Sequence, residues 1–302
     1  MMTELVTNFR GELAALAAAL IWAIASTIYT QMGRILSPLL LNLAKGLVAI
    51  ALLLLTLGLQ GHLWPSVSWS ATIGLALSGV IGIGLGDTAY FMALNHMGAR
   101  RTLILEALAP PLSALLALIF LQEQLPWAAW SGIGLTIVGV TWVMLEAVPV
   151  DVGQPKTDHR RGIVLGLLAA LGQAGGAVLS RSALVNTDID PLWSTLVRLV
   201  AGNLVILGLL VWQRRSPKEL SPLRQPSVLL ILVATAFAST YLGIWLQQIS
   251  LKYAAAGIAQ ALSATSPLFV LPLAIALGER VTLRAIGGVL IALVGVWLLF
   301  NR

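Results

Sequence analysis

Cysteine is absent from this chain, and histidine and charge are scarce. Without a thiol there is no disulfide scaffold, no thiolate metal site and no cysteine nucleophile. The three histidines, His62, His96 and His159, lie far apart and offer no metal-ligand spacing. With no His-Glu-x-x-His and no intramembrane histidine pair, an intramembrane enzyme has little to work with, and the chain is read as a non-enzyme without cofactor or metal. No Gly-x-x-x-x-Gly-Lys-Ser/Thr loop occurs either, so ATP is not the direct energy source. Only 10% of residues are charged, against 58% hydrophobic, and mean hydropathy is +0.92. That leaves too little polar surface for a soluble globule of 302 residues.

What is present is a series of apolar runs of about 20 residues, each matching a hydrocarbon core of ~30 Å at ~1.5 Å rise per residue. The lipid bilayer is thus the chain's main partner. Ten spans are expected, near 12–32, 38–59, 70–93, 99–121 and 127–145, then 162–182, 191–212, 227–250, 254–277 and 282–300. The first follows Arg10 and imitates a secretory signal, but it is long for one and is read as a retained helix. Between the two sets lies the most polar stretch, 146–161, with two prolines.

The second set repeats the first. From Pro111 to Val140, adding 156 to the residue number gives an identical residue about one time in three. Shared leucines mean little in so apolar a chain. The matches also include Pro111 with Pro267, Glu123 with Glu279, Gly132 with Gly288 and Gly139 with Gly295. Earlier landmarks recur too: Gly11 and Gly162 open the first helix of each half, and Pro38 and Pro191 open the second. Seven residues after each of those prolines comes a cation, Lys45 or Arg198. An odd number of spans per unit makes the second unit enter the membrane from the opposite side. The expected fold is therefore an all-α membrane protein of ten transmembrane helices in two inverted five-helix repeats, 11–145 and 162–300, joined by the 146–161 linker. Duplicated halves are the usual architecture of a transporter, because two halves can rock about a central site. One chain holds both halves, so a monomer is expected.

Each unit has a cation early in its second helix. Its third helix ends in Ala93-Leu94-Asn95-His96 or Ser250-Leu251-Lys252-Tyr253, and a proline-containing fourth helix follows. With Gly278-Glu279-Arg280-Val281-Thr282 and a glycine-spaced fifth helix, the pattern resembles the EamA-type repeat of the drug/metabolite transporter superfamily over about residues 11–300. The first half departs from it, with Gln122-Glu123-Gln124-Leu125-Pro126 lacking the arginine. The resemblance implies a carrier of metabolites, amino acids or drugs through a central cavity, driven by protons or by exchange. A passive channel or a membrane scaffold is the alternative.

A charge at mid-bilayer costs about 2.5–3.5 kcal/mol on insertion scales, so each one needs a reason. Lys45, Asp87 and Glu106 share one side of the membrane at a depth of ~10 Å. One cation cannot balance two carboxylates, which leaves an acid free to carry a proton. Lys45 otherwise snorkels to the headgroups or pairs with Asp87 to hold two helices together. Arg198, in the inverted half, is expected toward the other face, with Gln247, Gln248, Gln260 and Ser263 nearby instead of an acid. It either binds an anionic group of the substrate or snorkels. Trp22, Tyr29, Tyr90, Tyr241, Trp245 and Gln173 complete a candidate lining for an amphipathic small-molecule substrate, with Trp22 the favoured aromatic. Trp64, Trp69, Trp127, Trp130 and Trp297 read as interfacial anchors. Pro110-Pro111 and Pro267 are expected to kink the fourth helix of each half. The glycine pairs 82/86, 162/166 and 172/176 are expected to permit close helix approach.

The net charge of +6 is better explained by basic loops on an anionic leaflet than by nucleic acid, for which no partner role is expected. The linker side carries Arg34, Arg100, Arg101, Lys156, Arg160, Arg161, Arg214, Arg215, Lys218, Arg224, Arg280 and Arg284. The side of the termini carries Arg10, Arg181, Lys252 and Arg302, a count of 12 against 4. In a plasma (inner) membrane the positive-inside rule then puts both termini outside, whereas the family resemblance implies cytoplasmic termini. If the count governs, single cysteines at Gln154 and Ser216 will be shielded from an impermeant thiol reagent outside intact cells, and one at Asn301 will react. The reverse labelling pattern would reject this orientation.

Overall fold

A computed structural model describes residues 7–33, 35–147, 159–213, 217–276 and 282–301. All regular structure among them is helical. The first half comprises α1 (Arg10–Met32), α2 (Pro38–Leu59), α3 (Trp69–Gly79), α4 (Asp87–Glu106), α5 (Ala109–Leu121) and α6 (Trp127–Ala147). The second comprises α7 (His159–Leu184), α8 (Pro191–Trp212), α9 (Pro226–Ala236), α10 (Gly243–Tyr253), α11 (Ala256–Ser263), α12 (Ser266–Ala276) and α13 (Leu283–Phe300). Among the described residues, eight helical stretches are long and apolar enough to cross a membrane. The linker falls, from 148 to 158, outside the described residues, as do residues 278–281 of the Gly-Glu-Arg-Val-Thr motif.

Local sequence explains where these helices start and stop. Pro38, Pro191 and Pro226 stand in the first turn of α2, α8 and α9, where the missing N–H would have had no partner anyway. Asp190 accepts from the Leu192 N–H at 2.8 Å, and Thr282 accepts from Ala285 N–H at 3.1 Å, both helix N-caps. The same rule corrects the expected proline kinks. Pro110 and Pro111 lie in the first turn of α5, and Pro267 in the first turn of α12. The prolines therefore begin new helices after short breaks at 107–108 and 264–265.

The third and fourth spans of the first half are joined differently from expectation. Helical backbone runs on through 98–101, yet the chain reverses there. Gly86 packs on Gly172 and Met97 on Gly162, an antiparallel run, but Leu105 returns to Gly166. Eight residues of straight helix would have carried Leu105 ~12 Å past Met97.

Each half also contains a π-helical segment at its third span, Val80–Gly86 between α3 and α4 and Phe237–Leu242 between α9 and α10. A π-helical turn admits an extra residue and re-aims the side chains after it.

The bundle is built for lipid. Its interior is largely small: Ala15, Ala18, Ala19, Ala49, Ala129 and Ala292 are wholly buried, beside polar Ser78, Thr136, Ser180 and Ser194. Leu55, Ile119, Leu230 and Leu204 face outward. With lipid as apolar as leucine, close packing and interhelical hydrogen bonds must drive association.

Glycines carry the closest approaches, and they pair across the halves. Gly132 of α6 faces Gly295 of α13, and Gly139 faces Gly288, so these helices run antiparallel. Gly82 and Gly86 meet Gly176 and Gly172 of α7, while Gly11 of α1 meets Ala254. An added Cβ at Gly132 would lie 2.9 Å from the Gly295 carbonyl oxygen, whereas one at Gly134 or Gly287 would meet nothing within 4 Å. Gly132→Ala is therefore expected to destabilise the purified protein by about 1–3 kcal/mol, read as a lower melting temperature. Gly134→Ala should melt no lower than the parent; equal losses at both positions would reject glycine-mediated packing of α6 on α13.

Candidate functional site

A cavity of about 450 Å³ lies where the halves meet. α1 supplies Trp22, Ser26 and Tyr29, and α2 supplies Lys45. Asp87, Tyr90 and Glu106 come from α4, Gln173 from α7 and Arg198 from α8. The second π-helical segment gives Ser239 and Thr240, and α11 gives Gln260 and Ser263. The breaks in the fourth span of each half open onto this space, through Ala109 and Pro110 on one side and Ala264 and Ser266 on the other. Irregular backbone at membrane depth is tolerated where it lines such a cavity.

The π-helical segments aim the polar groups. Asp87 is the first residue beyond Val80–Gly86 and accepts long hydrogen bonds from Asn42 Nδ2 and Gln173 Nε2, both 3.4 Å. In the second segment Trp22 Nε1 donates to the Ser239 carbonyl at 2.9 Å. The Tyr29 hydroxyl lies 2.7 Å from Ser239 Oγ, which itself donates to the Thr235 carbonyl. Lys45 Nζ sits 5.4 Å from the Tyr29 ring centroid, within cation–π range. These contacts tie α1 to the opposite half and hold the aromatic wall in place.

Arg198 is 3% exposed, so it does not snorkel. α3 and α8 approach closely at Gly79, where any side chain would strike the Arg198 backbone. Its Nε and Nη1 have no hydrogen-bond partner, and neither does Glu106 Oε2 or Ser263 Oγ. Buried polar groups in native folds are nearly always satisfied, and these three incompletely satisfied side chains all line the cavity.

Of the residues expected from the sequence, Trp22, Lys45, Asp87, Tyr90, Glu106, Gln173, Arg198 and Gln260 line this one cavity. Arg198, expected toward the other face from the Lys45 layer, lines the same space, because α8 packs against α2 and α3: Gly46 meets Asn203 while Gly79 meets Arg198, more than a turn away along α8. Tyr241 and Trp245 do not line the cavity. Tyr241 stacks on Phe237, with ring centroids 5.5 Å apart, and its hydroxyl lies 3.0 Å from Thr56 Oγ1. Both rings pack in an apolar cluster with Ala49, Leu53 and Leu199. They lie four residues apart and so share one helix face, while Thr240, Ile244 and Gln247 occupy the cavity face. Gln248 also turns away, accepting from Ser180 and Ser194. Sequence reading did not single out Ser239 and Thr240, since only the π-helical register shows which face they take. Among the expected anchors, Trp64, Trp69, Trp127 and Trp297 are exposed, whereas Trp130 packs against an interior cluster.

The chain matches the EamA-like transporter family twice, over residues 9–145 and 160–301. It is 26% identical over 182 residues to Protein LicB of Haemophilus influenzae, a match covering 57% of this chain and 58% of LicB. The chain thus spans less than two thirds of that curated relative. A protein of known crystal structure superposes with a TM-score of 0.78 over 96% of each chain at 18% identity, a likeness of fold.

Proposed function

This chain belongs to the EamA-like transporter family, and from that membership and its central cavity we propose a secondary active transporter that exports small metabolites, amino acids or amphipathic drugs by alternating access. A multi-pass membrane transporter is what the family establishes; the mechanism and cargo are the proposal. Ten membrane spans in two inverted repeats, 11–145 and 162–300 about the 146–161 linker, are part of it. The packing supports this arrangement. Gly132 and Gly139 correspond to Gly288 and Gly295, and each member of one pair meets the unlike member of the other. Helices that are equivalent in sequence and antiparallel in space are what a two-fold axis in the membrane plane produces. The π-helical segments and fourth-span breaks recur at corresponding places, in keeping with the same axis.

The observation that carries the reading is the buried, unpartnered guanidinium of Arg198 facing a cavity between the halves. A purely structural arginine at 3% exposure would have its donors satisfied, because leaving them unpaired costs more than the pair returns. Arg198 is therefore the group that receives an anionic part of the substrate, with Trp22, Tyr90, Gln173 and Gln260 shaping the rest. Lys45, Asp87 and Glu106 form the proton-coupling layer. Asp87 is held by Asn42 and Gln173, and Glu106, with a free oxygen, is the better placed to exchange a proton with the cavity. The protein acts as a monomer in the plasma (inner) membrane, without cofactor, and the charge count puts its termini outside.

Substrate-dependent exchange in liposomes, run with a panel of amino acids, sugars and cationic drugs, tests the reading; solute-independent leakage or no flux would reject it. Within that assay Arg198→Lys should weaken transport by about tenfold to a hundredfold, since lysine keeps the charge but loses the planar fork. Wild-type kinetics in that variant would remove Arg198 from the site. Glu106→Gln should abolish accumulation driven by a pH gradient and spare downhill exchange. Asp87→Asn should do the same if Asp87 carries the proton, or lower the melting temperature if it only braces α2 and α7. Wild-type accumulation in both amide variants would refute proton coupling through this layer.

A further inference from the structure

One end of the bundle, where α5, α7 and α10 finish and α11 begins, is held by an ion pair that the transport site does not use. Arg181 Nε donates to Glu123 Oε1 at 2.5 Å. Its Nη1 donates to the carbonyls of Leu251 at 2.9 Å and Lys252 at 2.7 Å, in the last turn of α10. Glu123 Oε2 accepts from the Ala256 N–H at 3.1 Å, at the start of α11. The acid thus sits at a helix N-terminus and the cation at a helix C-terminus, each favoured by the local backbone dipoles. Gln122, with φ of 55°, turns the chain out of α5 and brings Glu123 across to the second half. The two side chains are only 12% and 15% exposed.

Beneath this pair runs a polar seam. Ser180 and Ser194 both donate to Gln248 Oε1, at 2.7 and 2.8 Å, and Ser78 donates to the Gly176 carbonyl at 2.6 Å. All three serines and Gln248 are fully buried, and Gln248 Nε2 has no acceptor. The seam begins where the cavity ends. Ser194 lies one turn from Arg198 on α8, Ser180 two turns from Gln173 on α7, and Gln248 follows Gln247. It ends at Arg181. A buried, polar column with an unpaired donor is an expensive way to pack helices that elsewhere meet through alanine and glycine.

We propose that this seam is the closed half of the transport path and that the Glu123–Arg181 pair is the latch that keeps it closed. The proposal rests on the transporter reading above: when the halves rock, the latch parts, the seam hydrates, and its hydroxyl and amide groups meet the solute or water. A latch bridging both halves suits this role, because its several hydrogen bonds must be lost together and so give two discrete states.

The Cys-free chain allows a direct test on the purified full-length protein. Ser194→Cys reports on the seam through its labelling rate with a small charged methanethiosulfonate. Ala49→Cys, equally buried but in the apolar α2–α8 cluster, reports on general loosening. Glu123→Gln keeps the side chain's shape and its acceptor for the Ala256 N–H, and its melting temperature verifies folding. In that background, labelling at position 194 should rise about tenfold or more while position 49 stays slow. No rise at 194, or equal rises at both, overturns the proposal. In a second arm, cysteines at Glu123 and Arg181 are joined by a short cleavable bifunctional thiol reagent in proteoliposomes. Transport should stop and return on cleavage; undiminished flux through the linked protein overturns the latch. The labelling arm needs no substrate, so latch-controlled access without flux for any solute would retire the transporter reading and leave the gated seam standing.

Discussion

Helix backbones brought together at glycine are what the rest of this structure depends on. In hydrocarbon an unpaired N–H or C=O costs several kcal/mol, so each span must satisfy its own backbone as a helix. Leucine gains nothing by leaving lipid for another leucine, so those helices cohere through contact area and interhelical hydrogen bonds. Gly132 against Gly295, Gly139 against Gly288, and the 82/86 pair against 172/176 supply that contact. Each joins a helix of the first half to one of the second. Neither half is a self-contained block: α1 packs on α10 and α7 on α3 and α4, so the halves embrace.

From that interlocking follows the position of the charges. Gly79 lets α3 lie against α8 at Arg198, which places the guanidinium beside Gly82 and inside the bundle. The same approach sets Gln173 near Asp87. The π-helical segments then turn Asp87 and Ser239 toward the space between the halves, and the fourth-span breaks leave that space unfilled. Small residues, an altered helical register and prolines that restart helices thus act jointly to make a polar cavity inside an apolar molecule. At one end the Glu123–Arg181 pair draws α7, α10 and the α5–α6 connection together.

Much of this was legible in the residues. Apolar runs of about 20 residues marked helical spans, of which eight among the described residues are long and apolar enough to cross a membrane, and the shared Pro, Glu and Gly at one offset exposed the repeat. Most of the cavity lining was legible as well, because a charged or amide side chain in an apolar span has few reasons to be there. Tyr241 and Trp245 were misjudged because composition alone does not tell which face of a helix is inward, and the π-helical segment Phe237–Leu242 resets that face. Ser239 and Thr240 were missed for the same reason. Glu123 was read as a landmark of the repeat and Arg181 as one charge in the orientation count, and nothing in a linear sequence brings residues 58 positions apart together.

By itself, then, the sequence determined that this is a helical, duplicated, lipid-facing chain with few ionisable groups inside its spans. Those properties are set by local hydropathy and by residue identity at fixed offsets, which need no knowledge of neighbours. Only the tertiary structure decided that Lys45, Asp87, Glu106 and Arg198 share one cavity and that Glu123 meets Arg181. Depth along a helix can be counted from sequence. The rotation of that helix, and the partner it turns toward, are settled by which glycines on other helices let it come close.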